Sequence, residues 1–214
     1  MSQNIRIAVD AMGGDGSPKK TIDGIIDHFK EKNNVFYHIF GDENKVRNLL
    51  KNKISDKYYK IINTTDIVKD SDSPLAAAKK KETSMFRAIE SVKNLESDIV
   101  VSAGNTGALF VIAKLNLNMI DNIDKPALSA LWPSKKGMNV VLDLGANIEC
   151  SAKNLIDFSI MGSALHKALF DIAKPKVALL NIGSEELKGN AIIKDTYQLL
   201  SEKKYNLFEF FGYI

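Results

Sequence analysis

Short runs of β-branched and apolar residues alternate with longer amphipathic stretches along almost all of the 214 residues. The first such pair is a strand predicted over 5–9 and a helix in which Ile22, Ile25 and Ile26 recur at helical spacing. Alternation of this kind predicts an α/β fold with a mostly parallel sheet covered by helices on both faces. Because no internal repeat, Gly/Ser linker or shift in composition interrupts it, we expect a single α/β domain over 1–214.

The remaining predicted elements continue the alternation. Strands are predicted over 35–40, 58–62, 98–102, 127–131, 139–142, 176–181 and 208–214. Helices are predicted to begin at about 18, 42, 73 and 105, and two more carry the apolar positions of 155–169 and 193–200. A break near Glu82-Thr83-Ser84 favours two helices over 73–94.

Composition excludes several classes of protein. A hydrophobic fraction of 45% and a charged fraction of 26% are typical of a globular protein. The net charge of +3 is too small to indicate a nucleic-acid partner. One cysteine, Cys150, allows neither an internal disulfide nor a cysteine zinc site. With no signal peptide at residues 1–4 and no uncharged stretch longer than 99–113, we expect a cytoplasmic protein.

Four glycine-containing polar segments each follow a predicted strand. They are 10–16, 102–107, 143–147 and 181–190. The carboxyl ends of parallel strands share one edge of a sheet, where ligands bind. Glycine lets the backbone approach a ligand closely, and the N–H groups of the helices that follow favour an anion. Any one segment is also explained as a plain turn from strand to helix, but the four together favour a phosphate or other anion site.

The chain offers no obvious protein nucleophile or redox group. It has no P-loop, no G-x-G-x-x-G spacing, no G-x-S-x-G elbow and no H-E-x-x-H metal motif. Its three histidines, His28, His38 and His166, are isolated in sequence. This inventory fits chemistry in which the substrate supplies the nucleophile, with no metal and no cofactor.

The sequence resembles the bacterial phosphate acyltransferase (PlsX) family. The resemblance rests on IAVDAMGGD at 7–15, VSAGNTGAL at 101–109, DKPAL at 124–128, LDLGAN at 142–147, IMGS at 160–163, LLNIG at 179–183 and ELKGN at 186–190. The chain departs from the family where Ala78 precedes Lys79-Lys80-Lys81, since an Arg-rich run is usual there. Family chains continue well beyond this length, so we expect residues 1–214 to be the N-terminal part of a longer protein.

The resemblance implies a fold, a reaction and partners. The fold is a Rossmann-like α/β/α sandwich related to phosphotransacetylases and to isopropylmalate dehydrogenase-like folds. The reaction converts fatty acyl-[acyl carrier protein] and inorganic phosphate to acyl phosphate and free acyl carrier protein in phospholipid synthesis. The implied protein is a cytoplasmic homodimer with peripheral membrane contact and a downstream glycerol-phosphate acyltransferase as a further partner; no nucleic acid is implied.

We hypothesise that phosphate attacks the thioester directly, which agrees with the lack of a protein nucleophile. The hypothesis assigns catalytic roles to Asn105, Thr106, Lys188 and Asp143. It assigns phosphate binding to Asp10, Gly13, Gly14, Gly104, Gly107, Gly145, Asn147 and Asn190. The run Lys79–Lys81 is either a solvated helix face or a docking patch for the acidic carrier protein.

Two other functions fit the same residues. A phosphotransacylase acting on a coenzyme A thioester would need the same anion site. A truncated remnant without catalysis would bind only phosphate or the carrier protein. Comparison of the two acyl donors, with a longer chain as reference, separates the three functions.

Overall fold

A computed structural model describes residues 5–32, 34–135, 137–183 and 188–214. The chain divides into two compact units, Met1–Asn118 and Met119–Ile214. The single domain expected from the sequence stays a prediction. The expectation of no signal peptide concerns residues 1–4, which lie outside the described residues.

The first unit is built on four strands: β1 (Ile5–Asp10), β2 (Val35–Gly41), β3 (Tyr59–Asn63) and β4 (Ile99–Ser102). They are parallel and lie in the order β3-β2-β1-β4. The register pairs Asp10 with Ser102, so β1 and β4 end side by side. The predicted meeting of the segments that follow these two strands is therefore confirmed.

The helices of the first unit are α1 (Lys19–Glu31), α2 (Glu43–Leu50), α3 (Pro74–Ala77), α4 (Ser84–Lys93) and α5 (Thr106–Asn116), with a 3-10 turn at Asp56–Tyr58. The predicted break in 73–94 is confirmed, because α3 ends at Ala77 and α4 begins at Ser84. The Thr83 hydroxyl caps α4 by accepting the Phe86 N–H.

Side chains on alternate positions of the strands pack on opposite faces of the sheet. Val9 packs with Ile22 of α1 in one buried cluster. Ala8 and Phe40 pack with Ala88 of α4 in another. Helices therefore cover both faces of this sheet, as the alternating pattern predicts.

The second unit contains β5 (Ser129–Ser134), β6 (Gly137–Leu142), α6 (Ala152–Phe170), β7 (Lys176–Leu179), α7 (Ala191–Glu202) and β8 (Glu209–Tyr213). Strands β5 and β6 form an antiparallel hairpin, whereas β7 and β8 are parallel. The strand predicted at 208–214 is thus paired, and its Ile214 N–H donates to the Leu179 carbonyl. A core of Leu179, Leu200 and Phe208 holds α7 against this pair.

The α/β class is confirmed in both units, and the mostly parallel pairing is confirmed by the four-stranded sheet of the first. Among the described residues, no helix combines the length and apolar character needed to cross a membrane.

Candidate functional site

The segments that follow β1 and β4 pack against each other through glycines. A Cβ atom added to Gly13 would lie 3.0 Å from the Gly104 nitrogen, and one added to Gly104 would lie 3.2 Å from the Gly13 Cα. Gly14 has a φ of +84°, and a Cβ there would collide with the Ala103 carbonyl oxygen. The contact between the two segments therefore requires glycine at these positions.

Asp10 lies beneath this contact and is only 1% exposed. Its carboxylate accepts hydrogen bonds from the Ser84 hydroxyl at 2.5 Å and the Ser102 hydroxyl at 2.7 Å. It also accepts the backbone N–H groups of Met12 and Gly13, each at 3.2 Å. A buried carboxylate needs donors of this kind, and here the protein itself supplies four. The sequence-based role of Asp10 in phosphate binding stays a prediction.

Asn105 caps α5 and holds a neighbouring segment of chain. Its side-chain oxygen accepts the Ala108 N–H at 2.9 Å, as an N-cap residue does. Its side-chain nitrogen donates to the carbonyl oxygens of Asp70 and Asp72, each at 3.1 Å. The amide is thus fully engaged with the backbone, and its direct contact with substrate stays a prediction.

The first turn of α5 is open to solvent. Thr106 and Gly107 are its first two residues, and both are exposed. N–H groups at the start of a helix have no acceptor within the helix, and the helix dipole adds a partial positive charge there. An anion is the ligand that such a turn favours. We call Gly13, Gly14, Gly104 and this first turn (Thr106 and Gly107) the anion cradle.

The lysine run Lys79–Lys81 is linked to the start of α5 through Asp72. Lys80 forms an ion pair with the Asp72 carboxylate at 2.7 Å, and the Asp72 carbonyl accepts from Asn105. The hydrogen bond from Lys80 is the main reason that the pKa of Asp72 lies below its ordinary value. Lys79 and Lys81 are exposed. The run therefore lies beside the anion cradle, a relationship that sequence spacing does not show.

In the second unit, Asp143 and Asn147 hold the segment after β6. The Asp143 carboxylate accepts the N–H groups of Leu128, Ala146 and Asn147 and the side-chain amide of Asn147, at 2.9–3.3 Å. Burial raises the pKa of Asp143, but these hydrogen bonds outweigh burial and lower it overall. The Asn147 amide also donates to the Pro126 carbonyl. Gly145, between them, is exposed.

The fourth predicted segment is described only at its two ends. The Asn181 amide donates to the carbonyl oxygens of Gly183 and Lys188, which draws the ends together. Asn190 caps α7 by accepting the Ile193 N–H at 2.9 Å, and Lys188 is exposed. Residues 184–187, which belong to the predicted segment, lie outside the described residues.

Comparison with known proteins identifies the family. The model of a family described as "Fatty acid synthesis protein" matches residues 5–214. The chain belongs to this family. Phosphate acyltransferase of Pelagibacter ubique (strain HTCC1062) is 65% identical over 215 residues, which cover 100% of this chain and 64% of that protein. Phosphate acyltransferase of Ehrlichia ruminantium (strain Gardel) is 44% identical over 225 residues, which cover 98% of this chain and 63% of that protein.

This fatty acid synthesis family member thus spans less than two thirds of the length of either relative. The resemblance to bacterial phosphate acyltransferases seen in the sequence is confirmed. Among solved structures, EutD phosphotransacetylase from Staphylococcus aureus matches with a TM-score of 0.64 at 16% identity, over 98% of this chain and 68% of that one. A branched-chain phosphotransacylase from Enterococcus faecalis V583 matches with a TM-score of 0.59 at 17% identity, over 97% and 67%. At these identities the matches confirm the predicted phosphotransacetylase-like fold.

The structure groups the predicted site residues of this family member by unit. The first unit brings together Asp10, Gly13, Gly14, Gly104, Asn105, Thr106 and Gly107. In the second unit, Asp143, Gly145 and Asn147 share one segment, while Lys188 and Asn190 lie at the end of another. Sequence reasoning gave no role to Ser102, although it lies in a predicted segment, and missed Ser84 and Asp72; all three bind predicted residues directly. Ser102 could have been found from its place at the end of a strand, whereas nothing in the sequence connects Ser84 or Asp72 to the site.

Proposed function

We propose that this chain carries the phosphate-binding part of a phosphate acyltransferase that converts fatty acyl-[acyl carrier protein] and inorganic phosphate to acyl phosphate and free carrier. The observation that carries the proposal is the anion cradle, in which an open helix start adjoins two packed glycine segments. A relative at 65% identity bears the name phosphate acyltransferase, which supports phosphate and an acyl group as substrates. The carrier protein as acyl donor is what the family resemblance implies.

In the proposed mechanism the cradle holds phosphate by backbone N–H groups. The available donors include those of Thr106 and Gly107, and the Thr106 hydroxyl adds another beside them. Binding in this manner fixes the anion without a covalent bond to the protein. The phosphate keeps a free oxygen as the nucleophile, which agrees with the absence of a nucleophile motif from the sequence.

Acyl transfer then needs one addition and one elimination. A phosphate oxygen donates an electron pair to the thioester carbonyl carbon, and the carbonyl oxygen becomes an oxyanion that nearby N–H donors stabilise. When the C=O bond re-forms, the C–S bond breaks and the carrier thiolate leaves and takes up a proton. The products are acyl phosphate and free carrier. The site roles that the sequence assigns to Lys188, Asp143, Asn147 and Asn190 of the second unit stay predictions.

The exposed lysines beside the cradle support an acidic protein as the acyl donor. Lys79 and Lys81 present positive charge next to the segment that Asn105 holds. Complementary charge would steer an acidic carrier protein and place its thioester near the bound phosphate. A homodimer, peripheral membrane contact, a cytoplasmic location and a downstream glycerol-phosphate acyltransferase partner also remain proposals, supported by the family resemblance alone.

An acyl phosphate assay tests the proposed function. Palmitoyl-[acyl carrier protein] or palmitoyl-coenzyme A is incubated with radiolabelled inorganic phosphate and the chain, and labelled acyl phosphate is separated from free phosphate and counted. The full-length Pelagibacter ubique relative serves as the reference, because this chain spans 64% of its length. We expect product with the carrier-bound donor and little with coenzyme A.

Each other outcome identifies an alternative. Faster turnover with the coenzyme A donor would replace our proposal with a phosphotransacylase. Phosphate or carrier binding by calorimetry without turnover, beside an active reference, would indicate a binding-only chain. Absence of both binding and turnover would overturn the assignment of the anion cradle.

A further inference from the structure

One carboxylate joins three elements beneath the anion cradle. Asp10 ends β1, Ser84 begins α4 and Ser102 ends β4. Both hydroxyls donate to Asp10, at 2.5 Å from Ser84 and 2.7 Å from Ser102. These residues lie 74 and 92 positions from Asp10 along the chain, so the carboxylate fixes contacts that the local sequence does not.

Both packed glycines are connected to this carboxylate by hydrogen bonds, Gly13 directly and Gly104 through Ser102. Gly13 donates directly to Asp10 Oδ1 at 3.2 Å. Gly104 donates at 3.2 Å to the Ser102 hydroxyl oxygen, whose own hydrogen goes to Asp10 Oδ2. A continuous path of hydrogen bonds therefore runs from one glycine segment through Asp10 and Ser102 to the other.

The charge of Asp10 is unfavourable for the ligand that the cradle would hold. A carboxylate beneath an anion site repels the anion, and the repulsion is stronger in a buried setting than in water. Electrostatics alone would therefore favour a neutral residue at this position. The four donors around the carboxylate give another reason for a charged residue here. Hydrogen bonds to a charged acceptor are stronger than those to a neutral one, so a carboxylate holds the four donors more firmly.

We infer that Asp10 is a positioning residue that fixes the spacing of the two glycine segments and thereby the shape of the anion cradle. It acts through Ser102 and Ser84, and this role replaces the direct phosphate contact predicted for Asp10 from the sequence. The part of this inference that concerns phosphate rests on the proposed function. The part that concerns coupling between the two glycine segments stands independently.

Two neutral substitutions separate shape from charge. Asp10→Ala removes every acceptor, whereas Asp10→Asn keeps the shape and an oxygen acceptor and loses the charge. The phosphate dissociation constant is measured by calorimetry for both variants. We expect Asp10→Ala to weaken phosphate binding by about tenfold or more, and Asp10→Asn to recover most of the loss. If charge alone mattered, both variants would bind phosphate equally well and more tightly than the unmodified chain.

Hydrogen exchange of the two glycine amides tests the coupling without phosphate. In Asp10→Ala we expect faster exchange at Gly13, which loses its direct acceptor, and also at Gly104 on the other segment. Asp98→Asn is the matched control, because Asp98 precedes β4 at its opposite end and pairs with Arg6. We expect the control to leave phosphate affinity and both amides unchanged.

Each outcome decides the inference. Unchanged exchange at Gly104 in Asp10→Ala, or phosphate binding within twofold of the unmodified chain, would overturn it. Equally weak binding by the Ala and Asn variants would overturn it as well. If Asp10→Ala does not fold, Ser102→Ala breaks the same path, and we then expect faster exchange at Gly104 and weaker phosphate binding. If the unmodified chain binds no phosphate, the proposed function fails, and Gly104 exchange alone decides the coupling.

Discussion

Asn105 and Asp72 are joined by a hydrogen bond of 3.1 Å from the side-chain amide of the first to the main-chain carbonyl of the second. The same Asn105 side chain caps α5. Asp72 in turn pairs with Lys80 through its carboxylate. The start of α5, the segment before α3 and the lysine run are therefore held together by one asparagine and one aspartate.

Substitution of Asn105 should affect both turnover and stability. From the sequence alone, Asn105→Ala is expected to reduce turnover by about 10²–10³ through loss of an oxyanion donor, with little unfolding. In the structure Asn105 is also the N-cap of α5, and the substitution removes this cap. We therefore expect a decrease of about 1–2 kcal/mol in the free energy of unfolding. Urea denaturation and the acyl phosphate assay measure the two effects.

Asn105→Ser serves as the control because a hydroxyl keeps a capping oxygen and removes the amide that donates to the carbonyls of Asp70 and Asp72. We expect it to recover the part of the stability that the cap supplies while turnover still falls. Full turnover in both variants would exclude Asn105 from the function of the site.

Charge reversal at Lys81 should weaken binding of the acidic carrier protein. Lys81 is exposed, so Lys81→Glu should increase the dissociation constant without lowering stability. We expect the difference from the unmodified chain to shrink as salt is raised, because exposed charges are screened. Lys51→Glu makes the same charge change just after α2 and should have little effect. Equal effects of the two variants at every salt concentration would mean that the lysine run is only a solvated surface.

The helices and strands were predictable because each must bury one apolar face in the core. Ile22, Ile25 and Ile26 recur at helical spacing, and all three are buried in α1. The edge of the sheet that carries the first two glycine segments was predictable too, since parallel strands end together. The start of a helix at about 105 was predictable from the apolar run that follows, whereas the sequence analysis did not assign the N-cap role of Asn105.

The roles of the individual polar side chains were harder to predict. Nothing within a few residues of Asp10 indicates that Ser84 will donate to it, because the contact depends on how α4 packs against β1. The sequence likewise suggested glycines that approach a ligand, whereas Gly13 and Gly104 first approach each other. Sequence patterns report local burial, but long-range hydrogen bonds depend on the packed arrangement.

His38 should make the stability of the protein depend on pH. Burial lowers the pKa of His38, Lys60 and Arg6 lower it further, and Glu96 partly opposes them. The ring bonds to the Ser97 hydroxyl at 2.8 Å, which in turn bonds to Ser91 at 2.7 Å. In the unfolded chain the ring binds a proton near pH 6.5, and in the folded protein it does so only at lower pH.

Below about pH 6.5 the unfolded state therefore binds more protons than the folded state, and the free energy of unfolding decreases as the pH falls. The stability that neutral His38 contributes to the folded protein is fully present above this pH. We expect His38→Gln to give a shallower decrease in the free energy of unfolding as the pH falls below about 6.5, measured by urea denaturation. Parallel pH profiles for the two proteins would contradict a lowered pKa for His38.

Asn190 allows a structural role to be separated from phosphate binding in the second unit. Its side chain accepts the Ile193 N–H at the start of α7, whose Leu200 lies in the core. We expect Asn190→Ala to lower the free energy of unfolding by about 1 kcal/mol through loss of the cap. Asn190→Ser keeps a capping oxygen and should restore most of that stability, but it shortens the side chain and removes its amide donors.

If Asn190 binds phosphate as predicted, both variants should weaken phosphate binding in calorimetry. Normal phosphate affinity in the stable Ser variant would leave Asn190 with a capping role alone.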